Sequence, residues 1–225
     1  TNMNKLNHDA FIMDGNGRWG QIRNKGRNFG HIKGVDTVKK IVKSSIKQKI
    51  PIVTFYVFST ENWKRPRTEI NFLFNLITNY FNKELNNVIE NGIKIKIIGK
   101  TKTLPKKIKL ALDKAEKLTK NNKKIKVNLA INYGSKDEIA NAAKDSKKLK
   151  TSVLSIQKNL YTSNFPDPDI LIRTGGHKRL SNFMLWQLAY SELYFLKKLW
   201  PDFNSNDLKK IINHFKKTRR NFGSI

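Results

Sequence analysis

Six residues near the start of the chain carry side chains that together suit a bound diphosphate. Asp14-Gly15-Asn16-Gly17-Arg18-Trp19 follows the apolar run 10–13 and precedes a basic, glycine-punctuated loop that includes Arg23, Arg27 and His31. Glycines let the backbone approach a ligand, arginine offers a planar fork of donors, and a carboxylate can hold Mg²⁺. A lone Gly-x-Gly is more often a tight turn beside a surface arginine. The acid, amide, guanidinium and indole in one short stretch favour the diphosphate site.

Further motifs follow in order and make the pattern more specific than any one of them. They are Phe58-Ser59-Thr60-Glu61-Asn62-Trp63-Lys64-Arg65-Pro66, Asn132-Tyr133-Gly134, Asp169-Ile170-Leu171-Ile172-Arg173-Thr174-Gly175-Gly176 and Trp186-Gln187-Leu188-Ala189-Tyr190-Ser191-Glu192-Leu193-Tyr194. With residues 8–19 they resemble the cis-prenyltransferases, the family of the bacterial undecaprenyl diphosphate synthases, over almost the whole chain. The resemblance implies repeated condensation of isopentenyl diphosphate onto an allylic diphosphate, at first farnesyl diphosphate, with a cis double bond formed at each addition. The implied product is undecaprenyl diphosphate for the bacterial cell-wall lipid carrier.

The resemblance assigns the first cluster to the allylic diphosphate. The matching binding residues are Gly15, Asn16, Gly17, Arg18, Trp19, Arg27 and His31. Asp14 matches a catalytic acid that coordinates Mg²⁺, and this metal ion bridges to the leaving diphosphate and lowers the cost of C–O cleavage. Without the motif, the simpler interpretation of His31 would be a histidine at the start of a helix whose ring hydrogen-bonds to neighbouring groups. Arg23 receives no role.

A second cluster matches the family's isopentenyl diphosphate site through Arg173, Arg179, Leu180 and Ser181. Arginine holds phosphate through a fork, and serine adds a short donor. Glu192 matches a second metal-associated acid, although an exposed carboxylate at a strand edge would look the same in sequence. The chain departs from the family at His177-Lys178, where relatives usually read Glu-His. A protonated lysine cannot ligate Mg²⁺, so the predicted metal contacts are Asp14 and Glu192 alone.

The motif after the second apolar run supplies residues for the reacting alkene. Asn62 matches a residue that assists proton removal, and the matching substrate-binding positions are Ser59, Thr60, Glu61, Trp63 and Arg65. An amide is a poor base, so we expect Asn62 to orient the alkene or a water while a diphosphate oxygen accepts the proton. Residues 63–68 are expected to form a loop that closes over the substrate, with Glu69 beyond it.

Alternating strand and helix patterns must position these clusters. Apolar runs at 10–13, 52–58, 93–98, 125–131, 170–172 and 192–195 predict strands, and helical spacing appears at 35–46, 69–90, 108–118, 136–148, 151–159 and 208–215. This alternation predicts a single-domain α/β fold with a mostly parallel central sheet of about six strands and helices on both faces. Open α/β sheets bind ligands at the carboxyl ends of their strands, which is where most of these clusters begin.

The helix predicted for residues 69–90 has more apolar surface than one sheet face needs. Leu73 and Ile77 belong to one stripe, and Phe72, Leu76 and Tyr80 form a second. Extra core packing is the simpler explanation of the second stripe, and one wall of a hydrophobic tunnel is the alternative. A growing hydrocarbon must be kept from water, so we expect a tunnel lined by this helix and by residues 55–58.

Composition restricts the cellular setting. The formal charge of +28 comes largely from lysines spread along the chain, whereas arginines concentrate near the phosphate clusters and the C-terminus. Absent cysteines exclude disulfides and thiol catalysis, and no segment resembles a signal peptide or a membrane span. We expect a cytoplasmic protein that starts at Met3, residues 1–2 being additions, and that contacts anionic membrane at the inner face of the plasma membrane through its basic surface.

Two other functions stay open. The charge alone would suit a nucleic-acid-binding protein, but the sequence has no aromatic-basic recognition motif, zinc pattern or clear helix-turn-helix, so no nucleic acid is expected. A non-catalytic family member acting as a partner subunit would tend to lack the Asp-Gly-Asn-Gly-Arg motif, which is intact here. The resemblance also implies a homodimer, because residues 186–194 resemble the family's subunit contact. Relatives often bring a C-terminal Arg-x-Gly into the partner's site, whereas Arg219-Arg220-Asn221-Phe222-Gly223 has an extra residue.

Overall fold

A parallel β-sheet runs through the computed structural model, which describes residues 3–146 and 150–225. Its six strands lie in the order β3-β4-β2-β1-β5-β6. The strands are β1 (His8–Ile12), β2 (Ile52–Ser59), β3 (Ile93–Ile98), β4 (Ile125–Tyr133), β5 (Ile170–Arg173) and β6 (Glu192–Phe195). Their β-branched and aromatic runs are buried because helices cover both faces of a parallel sheet. The predicted α/β fold is confirmed, and every strand pair in the sheet is parallel.

Seven helices in the described ranges pack on this sheet. They are α1 (Asn16–Ile22), α2 (Gly26–Lys47), α3 (Arg67–Glu90), α4 (Lys106–Thr119), α5 (Ser135–Ser146), α6 (Val153–Asn159) and α7 (Ser205–Lys217). The larger apolar core lies between one sheet face and α2, α3, α4 and α7, and a smaller core around Tyr133, Phe183 and Met184 covers the other face. Of the helix predicted for 136–148, residues 147–148 lie outside the described residues, as do residues 1–2. No helix in the described ranges is long and apolar enough to cross a membrane.

The glycine-punctuated segment after β1 is helical, so the predicted loop there is wrong. Residues 16–22 form α1, and residues 26–47 form the long helix α2. A Cβ on Gly20 would lie 1.9 Å from the carbonyl oxygen of Gly26, and a Cβ on Gly30 would lie 1.7 Å from that of Asn16. These glycines therefore allow α1 and α2 to touch backbone to backbone, a packing role that the local sequence does not distinguish from loop flexibility.

The expected closing loop at residues 63–68 is also mostly helical. Thr60–Lys64 forms a 3₁₀ turn and α3 begins at Arg67, which leaves only Arg65 and Pro66 between them. Pro66 occupies the N-cap position of α3, where a missing N–H is tolerated because the first turn has no acceptor for it. The segment thus places Arg65 just before α3 and Glu69 in the first turn of α3.

Candidate active site

Asp14 lies where the two predicted phosphate clusters meet. Its carboxylate is 3.1 Å from Nη2 of Arg18 and 3.0 Å from Nη2 of Arg173, at the carboxyl ends of the neighbouring strands β1 and β5. Thr174 donates its hydroxyl to the Asp14 carbonyl oxygen at 2.8 Å, which fixes the backbone. The sequence predicted two separate clusters, and the fold joins them through this one acid.

Two glycines beside Asp14 are required by their surroundings. Gly15 has φ 114°, a left-handed conformation that L side chains rarely adopt, and a Cβ there would lie 2.7 Å from Leu199. A Cβ on Gly17 would lie 2.4 Å from the guanidinium of Arg27. Gly17 therefore keeps open the space in which Arg27 reaches the site.

Arg173 is the most buried cation of the second cluster, with 5% of its side chain exposed. Its Nη1 donates to the hydroxyl of Ser181 at 2.7 Å and to the carbonyl oxygen of Arg179 at 2.6 Å. Its Nε has no hydrogen-bond partner among the described residues. A buried guanidinium with a spare N–H donor beside a cavity is a suitable anion-binding group. The side chain of Arg179 is exposed, and Leu180 packs against the smaller core.

A second carboxylate, Glu69, contacts Arg27 and His31, both predicted for the allylic diphosphate, and Arg65 of the motif predicted for the alkene. It lies 3.0 Å from Nε2 of His31, 3.2 Å from Nη2 of Arg27 and 3.5 Å from Nη1 of Arg65. Only 11% of the Glu69 side chain is exposed. Burial opposes ionisation, but hydrogen bonds from Arg27 and His31 outweigh it and hold the pKa of Glu69 below its usual value. Burial lowers the pKa of His31, although Glu69 opposes that shift.

Sequence reasoning did not assign Glu69 to the site. The available signal was its position four residues after Arg65, a spacing that brings an acid and a base together on a helix. A loop predicted for residues 63–68 does not hold Arg65 and Glu69 at that spacing. The partners on α2 could not be inferred, because nothing local relates residue 69 to residues 27 and 31.

Asn62 and Ser59 hold each other in the 3₁₀ turn that follows β2. The Asn62 side-chain oxygen accepts the Ser59 N–H at 3.1 Å, and the Asn62 N–H donates to the Ser59 hydroxyl at 3.2 Å. Both residues line the central cavity with Arg65. The Ser59 N–H takes one lone pair of the Asn62 side-chain oxygen, and the amide NH₂ group is a donor.

Several predicted site residues are engaged outside the cavity. Glu61 accepts hydrogen bonds from Thr60 at 3.2 Å and from Asn182 at 2.9 Å. The Trp63 indole donates to Asn132 at 2.8 Å. The Trp19 indole donates to Asp202 at 2.8 Å, and its ring stacks on Phe29 with centroids 5.7 Å apart. These side chains are not among those that line the cavity.

Glu192 and Asp14 are not brought together within one chain. Glu192 begins β6 and pairs with Ile170, the first residue of β5, whereas Asp14 contacts Arg173, the last residue of β5. The nearest cation to Glu192 is Arg220, whose Nε lies 3.9 Å from its carboxylate. Arg220 also donates to Asp169 at 3.2 Å and to the carbonyl oxygen of Tyr190 at 2.8 Å. The C-terminal Arg220 is therefore held by its own chain.

A cavity of about 380 Å³ extends from the phosphate clusters into the apolar core. Its polar mouth is lined by Asp14, Arg18, Arg27, His31, Arg65 and Arg173. Its body lies between α2 and α3 over the sheet, lined by Val38, Val42, Ile46, Leu73, Leu76, Ile77, Tyr80, Val88, Val127 and Leu129. Leu76 and Tyr80 of the second apolar stripe line it, whereas Phe72 does not. The predicted tunnel corresponds to this cavity.

The amino-acid sequence is similar to known proteins over almost its whole length. A family model described as "Putative undecaprenyl diphosphate synthase" matches residues 12–223. The isoprenyl transferase of Rickettsia typhi is 44% identical over 224 residues, which cover 98% of this chain and 99% of that protein. The isoprenyl transferase of Prochlorococcus marinus subsp. pastoris is 45% identical over 227 residues, or 97% of this chain and 84% of that protein.

Two solved structures have the same fold. A probable undecaprenyl diphosphate synthase from Campylobacter jejuni superposes with a TM-score of 0.85 and 36% identity, over 99% of this chain and 100% of that one. Lavandulyl diphosphate synthase from Lavandula x intermedia, in complex with dimethylallyl diphosphate, gives a TM-score of 0.93 and 31% identity, over 97% and 98% of the two chains. With its arginine-lined mouth and apolar cavity, the chain belongs to the isoprenyl transferases, the cis-prenyltransferase family of undecaprenyl diphosphate synthase.

Proposed function

We propose that this isoprenyl transferase condenses isopentenyl diphosphate repeatedly onto farnesyl diphosphate, with cis double bonds, and makes undecaprenyl diphosphate for the cell-wall lipid carrier. The observation that carries the proposal is one cavity with two cation clusters at its mouth and an apolar body between α2 and α3. A diphosphate that carries a hydrocarbon chain has the same division into a charged head and an apolar tail. The polar mouth and apolar body therefore match the substrate in chemistry and in order.

The mouth residues divide between two diphosphates. Arg27, His31 and Arg65 surround Glu69, whereas Arg173 contacts Asp14 and Ser181. Two anions held side by side repel each other, so cations must flank both. In the proposed complex the first group holds the allylic diphosphate with its tail in the cavity, and the second holds isopentenyl diphosphate. The Asn62 amide orients the alkene between them.

Asp14 is the residue suited to hold Mg²⁺. Its side chain is 26% exposed and borders the cavity, and no group of three or more acid or histidine side chains in the described ranges forms a complete metal site. A single carboxylate fits Mg²⁺, which is commonly bound by one or two carboxylates together with substrate phosphates. When bound, Mg²⁺ would neutralise the leaving diphosphate. Glu192 lies at the other end of β5 and β6, so in the proposed function it would reach the same ion from a second copy of the chain.

A homodimer is proposed at the β6 edge of the sheet. β6 is an outer strand, and nearby apolar side chains are exposed, including Leu193 (45%), Tyr190 (63%) and Phe222 (59%). An open strand edge with exposed apolar groups is commonly covered in an assembly. Light scattering after chromatography is expected to give twice the chain mass, and Leu193→Asp is expected to give the monomer.

The cytoplasmic location and the contact with anionic membrane remain predictions from the composition. Electrostatic attraction of a chain with formal charge +28 to anionic lipid is screened by salt. Sedimentation with phosphatidylserine vesicles is therefore expected to fall as ionic strength rises. Binding that stays constant across that range would contradict the electrostatic contact.

The function is tested by incubation with radiolabelled isopentenyl diphosphate and farnesyl diphosphate, with Mg²⁺ or with chelator. Asp14→Asn keeps the side-chain shape and removes the charge, and Asp36→Asn, an exposed acid on α2, is the matched control. Long polyprenyl products that need Mg²⁺ and Asp14, but not Asp36, are expected. Short products would support the family activity and contradict the undecaprenyl product. Folded protein that binds diphosphate without turnover would favour the partner-subunit alternative.

A further inference from the structure

A second concave surface lies on the opposite side of the sheet from the tunnel. Side chains alternate along a strand, so Ile93 and Val127 face the tunnel while Lys94, Lys96 and Lys126 face a separate groove. The C-terminal half of α4 borders this groove on one side, and residues 161–165 border it on the other. Its volume is about 510 Å³, within the range of roughly 300–1,000 Å³ that is usual for small-molecule sites.

The sheet register forces like charges together in this groove. Lys94 on β3 pairs directly with Lys126 on β4, and Lys96 lies one step further along the same face. Adjacent strands are only about 4.8 Å apart, and like charges on neighbouring strands destabilise a sheet. Burial, together with the charges of Lys94 and Lys96, lowers the pKa of Lys126. The fold therefore holds these ammonium groups near one another against their repulsion.

The groove has few carboxylates to balance its lysines. Five lysines line it, with Glu116 and Asp113 as the acids. Glu116 lies 3.5 Å from Lys96 and also accepts a backbone N–H of β3. Asp113 lies 2.6 Å from Lys109, which is outside the groove.

The other groove lysines have no carboxylate partner within the described ranges. They are Lys94, Lys117, Lys120 and Lys126. Lys126 instead lies over the ring of Phe165, with Nζ 4.9 Å from the centroid. The groove is thus a cleft with uncompensated positive charge.

We propose that this groove is a binding site for a small anion that carries several phosphate charges. A cleft lined by one sign of charge focuses its field and concentrates counter-ions, and lysine ammonium groups bind phosphate as point charges. The groove lies between α4 and residues 161–165, which suits a compact ligand better than a long strand. The site is separate from the diphosphate clusters at Asp14, which lie at the carboxyl ends of the strands.

Calorimetry with inorganic tripolyphosphate tests this site. All proteins carry Arg27→Ala, which weakens binding of the probe at the cavity mouth. Lys94→Gln/Lys126→Gln is compared with Lys106→Gln/Lys107→Gln, which removes the same charge from exposed lysines at the start of α4. The groove pair is expected to weaken binding by at least about tenfold, and the control pair by less than about twofold.

Thermal unfolding gives a second measurement that does not depend on turnover. Without anion, Lys94→Gln/Lys126→Gln is expected to raise Tm because it relieves repulsion. Tripolyphosphate is expected to raise Tm of the parent and the control pair, but not of the groove pair. Equal loss of binding in both pairs would show a diffuse charge effect and overturn the site. Binding of a single-stranded oligonucleotide through the groove, without binding of tripolyphosphate, would overturn it in favour of nucleic acid.

Discussion

Replacing Asp9 with valine is expected to stabilise the protein. Asp9 lies in the middle of the sheet on β1, between Val53 and Ile170, and is 0% exposed. Neither of its carboxylate oxygens has a hydrogen-bond partner among the described residues. Burial, with a smaller contribution from the charge of Asp169, raises the pKa of Asp9 well above its usual value, although the nearby backbone N–H of Ala10, which does not reach hydrogen-bonding geometry, opposes the shift. The folded protein therefore holds a neutral acid where a β-branched apolar side chain would fit the strand.

The size of the effect follows from the missing hydrogen bonds. Burying a polar group without a partner costs about 1–3 kcal/mol in protein mutational data. Asp9→Val is expected to recover this amount, which corresponds to a rise in Tm of roughly 2–10 °C for a chain of this length. Asp9→Asn is the matched control, because it keeps the side-chain shape and the buried polar atoms and removes only the ionisable carboxyl group.

The sign of the pH dependence separates the two variants. Above the usual aspartate pKa near 3.8, the unfolded chain releases the Asp9 proton while the folded chain keeps it. Unfolding then releases a proton, so this residue lowers stability as pH rises. Asp9→Asn is expected to match the parent at about pH 4 and to exceed it at about pH 8, whereas Asp9→Val exceeds it at both.

Urea unfolding at several pH values measures these differences, with the slope against urea confirming that the transition stays two-state. The reasoning fails if Asp9→Val is less stable than the parent at pH 8. It also fails if Asp9→Asn differs from the parent equally at every pH. An acid that is neutral in the folded protein and ionises in the unfolded chain must give a difference that changes with pH.

Three further perturbations follow from the site and its support. Glu69→Gln removes the charged partner of Arg27 and Arg65, so it is expected to lower the free energy of unfolding by about 1–3 kcal/mol. It is also expected to lower kcat/KM for farnesyl diphosphate. An equal loss of kcat/KM for isopentenyl diphosphate in steady-state kinetics would contradict the division of the mouth between two diphosphates. Leu76→Trp fills the cavity and is expected to shorten the products seen by chromatography. Phe72→Trp lies outside the cavity and is expected to leave product length unchanged. Equal shortening by both variants would contradict growth of the product chain into this cavity. Burial lowers the pKa of His8 to about 4, so the free energy of unfolding is expected to fall by roughly 3 kcal/mol as pH drops from about 6.5 to 4. Urea unfolding of His8→Gln at the same pH values should lack that loss. The same dependence of unfolding free energy on pH in the variant and the parent would contradict this prediction.

Much of the fold could be read from short stretches of sequence. Runs such as 52–58 and 125–131 are long, β-branched and bounded by turn residues, so period and length alone identified β2 and β4. Their separation by helical patterns implied a parallel sheet. The glycines at 20 and 30 were misread, because a glycine that permits a turn and a glycine that permits helix contact are the same residue.

The identity of the phosphate-binding side chains was also within reach of the sequence. Asp14 and Arg18 follow β1, Arg173 ends β5, and parallel strands end at one edge of the sheet. Which groups then contact each other depends on long-range packing. Glu69 meets Arg27 and His31 only because α3 lies beside α2, and Glu192 is separated from Asp14 because β6 begins where β5 begins.

The sequence by itself determined the strands, the parallel sheet and the charged residues that follow the strand ends, because periodicity and residue type are local properties. The tertiary structure alone decided that α2 forms the other wall of the apolar cavity, that Glu69 balances the cations at its mouth, and that Lys94 lies beside Lys126 on the opposite face. These features are relations between segments distant in the chain. They follow from helix packing and strand register, which no single segment encodes.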